Sequence, residues 1–221
     1  MAAVPIAGLG AGGHARSLLE AIRSRGEFEV VALVDDDPAE AVLLGVPVLR
    51  GEEGLAAVRR RGVRHAFAGV GGIGDTGPRR RVCERLLAAG LELPPIVHAS
   101  AAVSPWARLA RGAQVLAMAV VNAEAELGEG ALVNTGAIVE HDCRVGAYAH
   151  LAPHAALAGG AGVGPDAHVG MGAVVIEGVH VGAGAFVAAG AAVVADVPDG
   201  ARVGGVPARP LGPRSAPSDP G

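Results

Sequence analysis

Residues 131–157 read ALVNTGAIVEHDCRVGAYAHLAPHAAL, and every sixth residue of this stretch, beginning with Val133, is aliphatic. The same register extends in both directions, from Val103 to Val193, and all sixteen of its positions are valine or leucine. The residue two places before each of them is alanine in fourteen cases. A fixed period that holds over about ninety residues indicates a repeat architecture.

The period of six predicts a parallel β-helix. Each hexad supplies one short strand and a corner, with the aliphatic residue pointing inward and the small residue fitting the tight corner. Three hexads form one triangular coil, and strands of stacked coils pair at about 4.8 Å. A single coil cannot bury its own face, so the fold needs several coils in a row. We expect this domain to span residues 98–209.

The composition fits such a fold and excludes some functions. The chain of 221 residues is 51% hydrophobic but only 2% aromatic, so small and β-branched residues must do most of the packing. The formal net charge is -4, and no basic stripe suggests nucleic-acid binding. Basic runs at 59–61 and 79–81 fall in helical patterns, where we interpret them as solvated faces. No segment resembles a signal peptide or a membrane span, so we expect a cytoplasmic protein.

The first half of the chain predicts a small Rossmann-like α/β domain over residues 1–97. Segments that read as strands alternate with segments that read as helices, which is typical of a parallel sheet. The two cysteines are far apart and form neither a disulfide framework nor a metal motif. Residues 210–221 are rich in proline, serine and glycine, and we expect a disordered tail there.

A glycine loop follows the first predicted strand. Gly8, Gly10 and Gly13 match the GxGxxG pattern, and acidic residues 35–37 end the second strand. This arrangement is typical of dinucleotide binding, because glycines let the backbone approach a phosphate at a helix N-terminus. A domain of this size is better suited to a mononucleotide or a nucleotide sugar. The loop could also need glycine only for its turn, and His14 could contact phosphate or simply start the helix.

Several blocks in a fixed order narrow the family. GLGAGGHAR, ALVDDDP, GVGGIGD, NTGAIVEHD and GGVPAR occur in that sequence between residues 4 and 210. Together they resemble the sugar O-acyltransferase family of hexapeptide-repeat, left-handed β-helix transferases. That family includes sialic acid O-acetyltransferases and bacterial UDP-4-amino-sugar N-acetyltransferases. The resemblance implies acetyl-CoA as the acyl donor, no metal, and a homotrimer with active sites in the grooves between β-helices.

The resemblance also implies roles for individual residues. His141 would be the general base, Asp142 would orient its ring, and Asn134 would position the acceptor amine. Asp142 stands where the best-known N-acetyltransferases have Glu, and Glu140 could take its place. His150 would lie near the acyl carbonyl. The backbone of Gly159 and Met171 would contact the pantetheine arm of coenzyme A. In the N-terminal domain, Asp35 and Asp36 would lie near the uridine. The diphosphate would be held by the glycine loop, through Gly10, Gly12, Gly13 and His14.

The chemistry of these residue types supports the same interpretation. Acyl transfer from a thioester needs an acceptor without its proton, and histidine is the side chain most easily poised to take it near neutral pH. The resemblance, together with the glycine loop and the acidic end of the second strand, favours acetyl transfer to the amine of a UDP-linked 4-amino-sugar, and this is our prediction. The alternative is O-acetylation of sialic acid or another sugar. Other possibilities are a non-catalytic nucleotide-sugar-binding trimer and a zinc carbonic anhydrase that uses His141, His150, His154 and His168.

Overall fold

The computed structural model describes residues 3–212, which form an α/β domain followed by a parallel β-helix. The α/β domain has a five-stranded sheet in the order β3-β4-β2-β1-β5, in which only β3 runs antiparallel to its neighbour. Its strands are β1 Val4–Leu9, β2 Phe28–Asp35, β3 Val42–Leu43, β4 Val46–Arg50 and β5 His65–Ala68. Its helices are α1 Gly13–Arg25, α2 Gly51–Arg60 and α3 Gly77–Ala88.

The β-helix has three faces, each a stack of short parallel strands. The apolar face contains β7 Ala102–Val103, β10 Val120–Val121, β13 Ile138–Val139, β16 Ala156–Leu157, β19 Val174–Val175 and β22 Ala192–Val193. The charged face contains β8 Arg108–Leu109, β11 Glu126–Leu127, β14 Arg144–Val145, β17 Gly162–Val163 and β20 His180–Val181. The covered face contains β6 Ile96–Val97, β9 Gln114–Val115, β12 Leu132–Val133, β15 His150–Leu151, β18 His168–Val169, β21 Phe186–Val187, β23 Arg202–Gly204 and β24 Arg209–Pro210.

The hexad pattern coincides with the strands and with the interior. The strands from β7 to β22 each end at one of the sixteen aliphatic positions, and paired residues are 18 apart, as for Val121 and Val139. The alanine and aliphatic columns pack together as one core. The β-helix begins at β6, two residues before the expected boundary, and its last parallel strand is β23. Pro210 lies in β24, and residues 213–221 of the expected tail lie outside the described residues.

The α/β domain lies on the covered face. The outward side chains of Gln114, Leu132, His150 and His168 would be solvated on an isolated β-helix, but all four are buried. Thr76, at the start of α3, donates a hydrogen bond of 2.6 Å to Asp166 of the β-helix. The two units therefore share a buried interface that has both apolar contacts, as at Leu132, and polar contacts, as at Thr76.

Arg79 corrects the interpretation of run 79–81 as a solvated face. Its side chain is fully buried, and it donates to the carbonyl oxygens of Gly130, Tyr148 and Ala149 in the β-helix. Burial lowers the pKa of the guanidinium to about 10. The residue thus fixes the first turn of α3 to two stacked coils, at the corner between the charged and covered faces. Among the described residues, no helix is long and apolar enough to cross a membrane.

Candidate active site

A histidine–carboxylate pair stands at the corner between the apolar and charged faces. His141 follows β13, and its Nδ1 lies 2.8 Å from Oδ2 of Asp142. Both side chains are largely exposed. Asp142 has a φ of 61°, in the left-handed region where aspartate is tolerated better than most residues. The corner geometry therefore turns the carboxylate toward the ring that precedes it.

The carboxylate determines the protonation of the ring. A carboxylate only accepts hydrogen bonds, so Nδ1 carries the proton and Nε2 is left as the free basic nitrogen. The hydrogen bond to Asp142 raises the pKa of His141 above its ordinary value, and the nearby charges of Asp142, Glu140 and Glu177 act in the same direction. The carboxylate of Glu140 instead accepts a hydrogen bond of 2.8 Å from Asn122. In this geometry Asp142, not Glu140, contacts the ring.

Replacing Asp142 with asparagine is expected to move the acidic limb of the kcat/KM profile to lower pH. The amide cannot hold the imidazolium as the carboxylate does, so the pKa of His141 falls toward its ordinary value. The maximal rate should also fall, by about 10-fold or more, because a weaker base accepts the proton less readily. Glu140→Gln is the matched control and should shift the limb much less. An equal shift in both variants would contradict the assignment.

Gly159 lies one coil above His141 and leaves room for its ring. A Cβ built on Gly159 would stand 2.6 Å from Cε1 and 2.7 Å from Nε2 of His141. A backbone hydrogen bond joins the two stacked corners, because the N–H of Gly160 donates to the carbonyl of His141 at 2.9 Å. The free nitrogen of His141 thus lies directly against backbone without a side chain.

Gly159→Ala should displace the ring of His141 and lower kcat by about 10- to 100-fold, since small misplacements of a reacting group are costly. The ring can turn into solvent, and Gly159 is outside the left-handed region, so the unfolding midpoint should hardly change. Steady-state kinetics and thermal unfolding measure the two effects. Full activity in this variant would show that the position of the ring is not critical.

A second polar cluster lies beneath the α/β domain. Nδ2 of Asn134 is 3.1 Å from Nε2 of His150, whose Nδ1 lies 2.7 Å from the carbonyl oxygen of Gly72. His150 stacks edge-on with His168, with ring centroids 4.9 Å apart, as their 18-residue spacing predicts. Both nitrogens of His150 are engaged, so the expected contact with an acyl carbonyl would require one of these bonds to be given up.

The glycine loop is open where a phosphate could approach. Gly12 and Gly13 precede and begin α1, and a Cβ at either would meet nothing within 4 Å. The first N–H groups of a helix have no partner within it, so they remain donors for an anion. Gly10 has a φ of 103° and is packed against Val70, so it also serves the turn itself. Turn geometry accounts for Gly10, whereas the phosphate contact of Gly12 and Gly13 stays a prediction.

The polar side chains around this loop have defined partners. Nε2 of His14 is 2.7 Å from Oε1 of Gln114 on the covered face, and burial lowers the pKa of His14. Asp35 accepts a hydrogen bond of 2.7 Å from the backbone N–H of Ala11, whereas Asp36 forms a two-bond ion pair with Arg85. Asp35 therefore holds the loop, and Asp36 points toward α3.

The predicted site residues fall on two separate edges of the β-helix. His141, Asp142 and Gly159 lie on the edge between the apolar and charged faces, here called the His141 edge. Asn134 and Met171 lie on the edge between the covered and apolar faces, here called the Asn134 edge. His154 and His180 are exposed. Within residues 3–212 no group of three or more His, Cys, Asp or Glu side chains is placed to hold a metal ion.

Gln114 and Gly72 were not among the predicted site residues. A signal for Gln114 was available, because every third hexad places a residue on the covered face, and those positions hold Gln114, Leu132, His150, His168 and Phe186. These side chains are less charged than their counterparts on the charged face, which are Arg108, Glu126, Arg144, Gly162 and His180. Nothing in the sequence marks the carbonyl of Gly72 as a partner for a histidine 78 residues away.

Comparisons with known proteins give the family. A family model described as the PglD N-terminal domain matches residues 6–86. A variant of perosamine N-acetyltransferase from Caulobacter crescentus, solved with CoA and GDP-perosamine, is 42% identical, with a TM-score of 0.89 over 95% of this chain and 97% of that one. This chain belongs to the hexapeptide-repeat sugar acetyltransferases. The predicted fold, an α/β domain followed by a left-handed β-helix, and the predicted acyltransferase class are confirmed.

Two further solved structures have the same architecture. The acetyltransferase domain of PglB from Neisseria gonorrhoeae, solved with acetyl coenzyme A, is 35% identical, with a TM-score of 0.86 over 95% of this chain and all of that one. WeeI from Acinetobacter baumannii is 24% identical, covers 94% of this chain and its own full length, and shares the fold with a TM-score of 0.83. A search of curated proteins finds no match.

Proposed function

We propose that this acetyltransferase transfers the acetyl group of acetyl-CoA to the amine of a nucleotide-linked 4-amino-sugar, with His141 as the general base. The observation that carries the proposal is the His141–Asp142 pair, whose free Nε2 lies beside Gly159. A base that is exposed, oriented by a carboxylate and flanked by bare backbone suits proton removal from a bound amine.

The chemistry follows from this arrangement. The amine nitrogen attacks the thioester carbonyl as Nε2 of His141 takes its proton, and a C–N bond forms. The resulting imidazolium is stabilised by Asp142. The tetrahedral oxyanion needs an N–H donor aimed at it, and the N–H of Gly159 is the candidate, because the N–H groups of Ala158 and Gly160 donate to carbonyls of neighbouring coils. When the intermediate collapses, the C–S bond breaks, and His141 returns the proton to the sulfur of CoA.

The relatives support both substrates. CoA or acetyl coenzyme A occupies the related structures from C. crescentus and N. gonorrhoeae, and the former also holds GDP-perosamine. The open helix N-terminus at Gly12 and Gly13 suits a diphosphate in this chain as well. Uridine stays our prediction for the nucleoside of the acceptor. Guanosine must be tested beside it, because the C. crescentus relative, which is 42% identical, was solved with GDP-perosamine.

A homotrimer would complete the site. The outward residues of the apolar face are Ala102, Val120, Ile138, Ala156, Val174 and Ala192, with no charge among them. The covered face is already occupied by the α/β domain, so the apolar face is the one left to pack against a second copy. A closed trimer uses two different surfaces of each chain. Such packing would bring the His141 edge of one chain near the Asn134 edge of the next.

Val174→Glu is expected to break the trimer. Val174 is 44% exposed on β19, the second strand from the C-terminal end of the apolar face, and a buried unpaired carboxylate there would be costly. Light scattering should show monomers, and kcat/KM should fall by at least about 10-fold because the two edges separate. Val42→Glu is the matched control, since Val42 is an exposed valine of the α/β domain. A trimeric, active Val174→Glu variant would contradict this arrangement.

The direct test of function follows thiol release from acetyl-CoA with a panel of acceptors. The panel contains UDP- and GDP-linked 4-amino-sugars, the free amino-sugars and sialic acid. Turnover with a nucleotide-linked amino-sugar, together with a mass increase of one acetyl group on the product, supports the proposal. Turnover only with sialic acid would replace it by O-acetylation. Binding of the nucleotide sugar without thiol release from any acceptor would indicate a binding protein.

A further inference from the structure

The side-chain amide of Asn134 is held in one orientation by two neighbours. Its Nδ2 lies 3.1 Å from Nε2 of His150, and its Oδ1 accepts a hydrogen bond of 2.8 Å from the backbone N–H of Thr135. An asparagine amide has two donor hydrogens and one acceptor oxygen. The same oxygen also accepts a longer hydrogen bond of 3.4 Å from the hydroxyl of Thr135, so Asn134 has one N–H left for a ligand at the Asn134 edge.

His150 determines that orientation through its own tautomer. The carbonyl oxygen of Gly72 can only accept, so Nδ1 of His150 carries the proton and Nε2 must accept from Asn134. The ring is only 4% exposed, and burial, with the nearby His168 and Arg79, lowers its pKa to about 3. A neutral ring with this fixed tautomer is therefore the state present near neutral pH.

The carbonyl of Gly72 belongs to the segment that borders the glycine loop. Gly69 donates through its N–H to the carbonyl of Leu9 at 2.7 Å, and its α-carbon leaves no room for a Cβ beside Gly10. Two residues later, a Cβ on Gly71 would lie 3.4 Å from the ring of His14. Segment 69–72 therefore packs on the same loop that is open to a diphosphate.

We infer that His150 is a positioning residue that connects segment 69–72, next to the nucleotide-binding loop, to the amide of Asn134. This inference rests on the proposed function and deepens it. It implies that binding of the nucleotide diphosphate also orients the acceptor amine. His150 contacts neither substrate in this role. Through its two hydrogen bonds, a change in the position of the Gly72 carbonyl changes the orientation of the Asn134 amide. Asn134 in turn contacts the acceptor.

Two substitutions at His150 separate this role from others. Glutamine can still donate to Gly72 and accept from Asn134, so His150→Gln should keep kcat within about threefold of wild type. Phenylalanine keeps the ring that stacks on His168 but makes neither bond. His150→Phe should lower kcat by about 10- to 100-fold with a nucleotide-linked acceptor. The KM for acetyl-CoA should stay within about twofold in both variants. If His150→Phe does not fold, His150→Asn, which is too short to reach both partners, replaces it.

A double-mutant cycle with Asn134→Ala gives the decisive readout, because residues that act through one another are not additive. His150→Phe should cause no further loss of kcat/KM in the Asn134→Ala background. A full additional loss there would overturn the inference. A raised KM for acetyl-CoA with unchanged kcat in both His150 variants would also overturn it, in favour of contact with the acyl group. Wild-type protein that releases no thiol with any acceptor would instead refute the proposed function.

Discussion

His141→Ala is expected to lower kcat by about 10²- to 10⁴-fold, the usual contribution of a general base. Nε2 is the free basic nitrogen of the His141 ring, because Nδ1 is committed to Asp142. The side chain is 62% exposed, so its removal should leave the unfolding midpoint within about one degree of wild type. The acidic limb of the pH profile should disappear with the residue.

The measurement compares steady-state kinetics of His141→Ala with those of His154→Ala. His154 is an exposed histidine at another corner of the same β-helix, and we assign it no part in the site. Its replacement should leave kcat and KM near wild type. Retention of more than a tenth of wild-type kcat by His141→Ala would mean that another group takes the proton, and Glu140 would be the next residue to replace.

Arg79→Met is expected to cause the largest loss of stability among the substitutions considered for this protein. The guanidinium is buried and donates to three carbonyl oxygens of the β-helix. Buried carbonyls that lose their donor cost about 1–3 kcal/mol each, and part of this is offset because a charge no longer has to be desolvated. We expect a net loss of about 2–4 kcal/mol, which for a chain of this length lowers the unfolding midpoint by roughly 5–15 °C.

Thermal and urea unfolding measure this loss, and Arg81→Met is the matched control. Arg81 is two residues further along α3 and is exposed, so its replacement should change stability by less than about 0.5 kcal/mol. Equal effects of the two substitutions would show that the buried contacts of Arg79 are not the source of stability. The α/β domain should also become easier to cleave from the β-helix by limited proteolysis in Arg79→Met.

The β-helix could be predicted almost residue by residue, because its periodicity is dictated by packing alone. An aliphatic residue at every sixth position leaves no other fold in which all sixteen point inward, and the strands end at those residues. The same packing rule left the corners free, which made His141 and Asp142 conspicuous among alanines and glycines. The structure shows that Asp142, rather than Glu140, contacts the ring. This contact depends on the backbone angle φ of Asp142 at the corner, which cannot be read from the sequence.

The interface between the two domains could not be predicted in the same way. Arg79 lies in a run of three arginines whose helical pattern favours solvent, yet its environment is set by carbonyls more than fifty residues away. Local patterns describe a helix and its exposed face, but not which part of that face a second domain covers. The carbonyl of Gly72, which is the partner of His150, was missed for the same reason, whereas Gln114 had a signal in its hexad position on the covered face.

The sequence separation of the contacts also bears on the order of folding. Neighbouring strands of the β-helix are 18 residues apart, whereas the bond between His14 and Gln114 spans 100 residues and that between Arg79 and Gly130 spans 51. Closing a longer loop costs more entropy, so contacts of short separation form first. The coils can therefore stack before the α/β domain docks. Until then, Leu132, His168 and Phe186 of the covered face stay in water, which makes the newly synthesised chain most prone to aggregation at this stage.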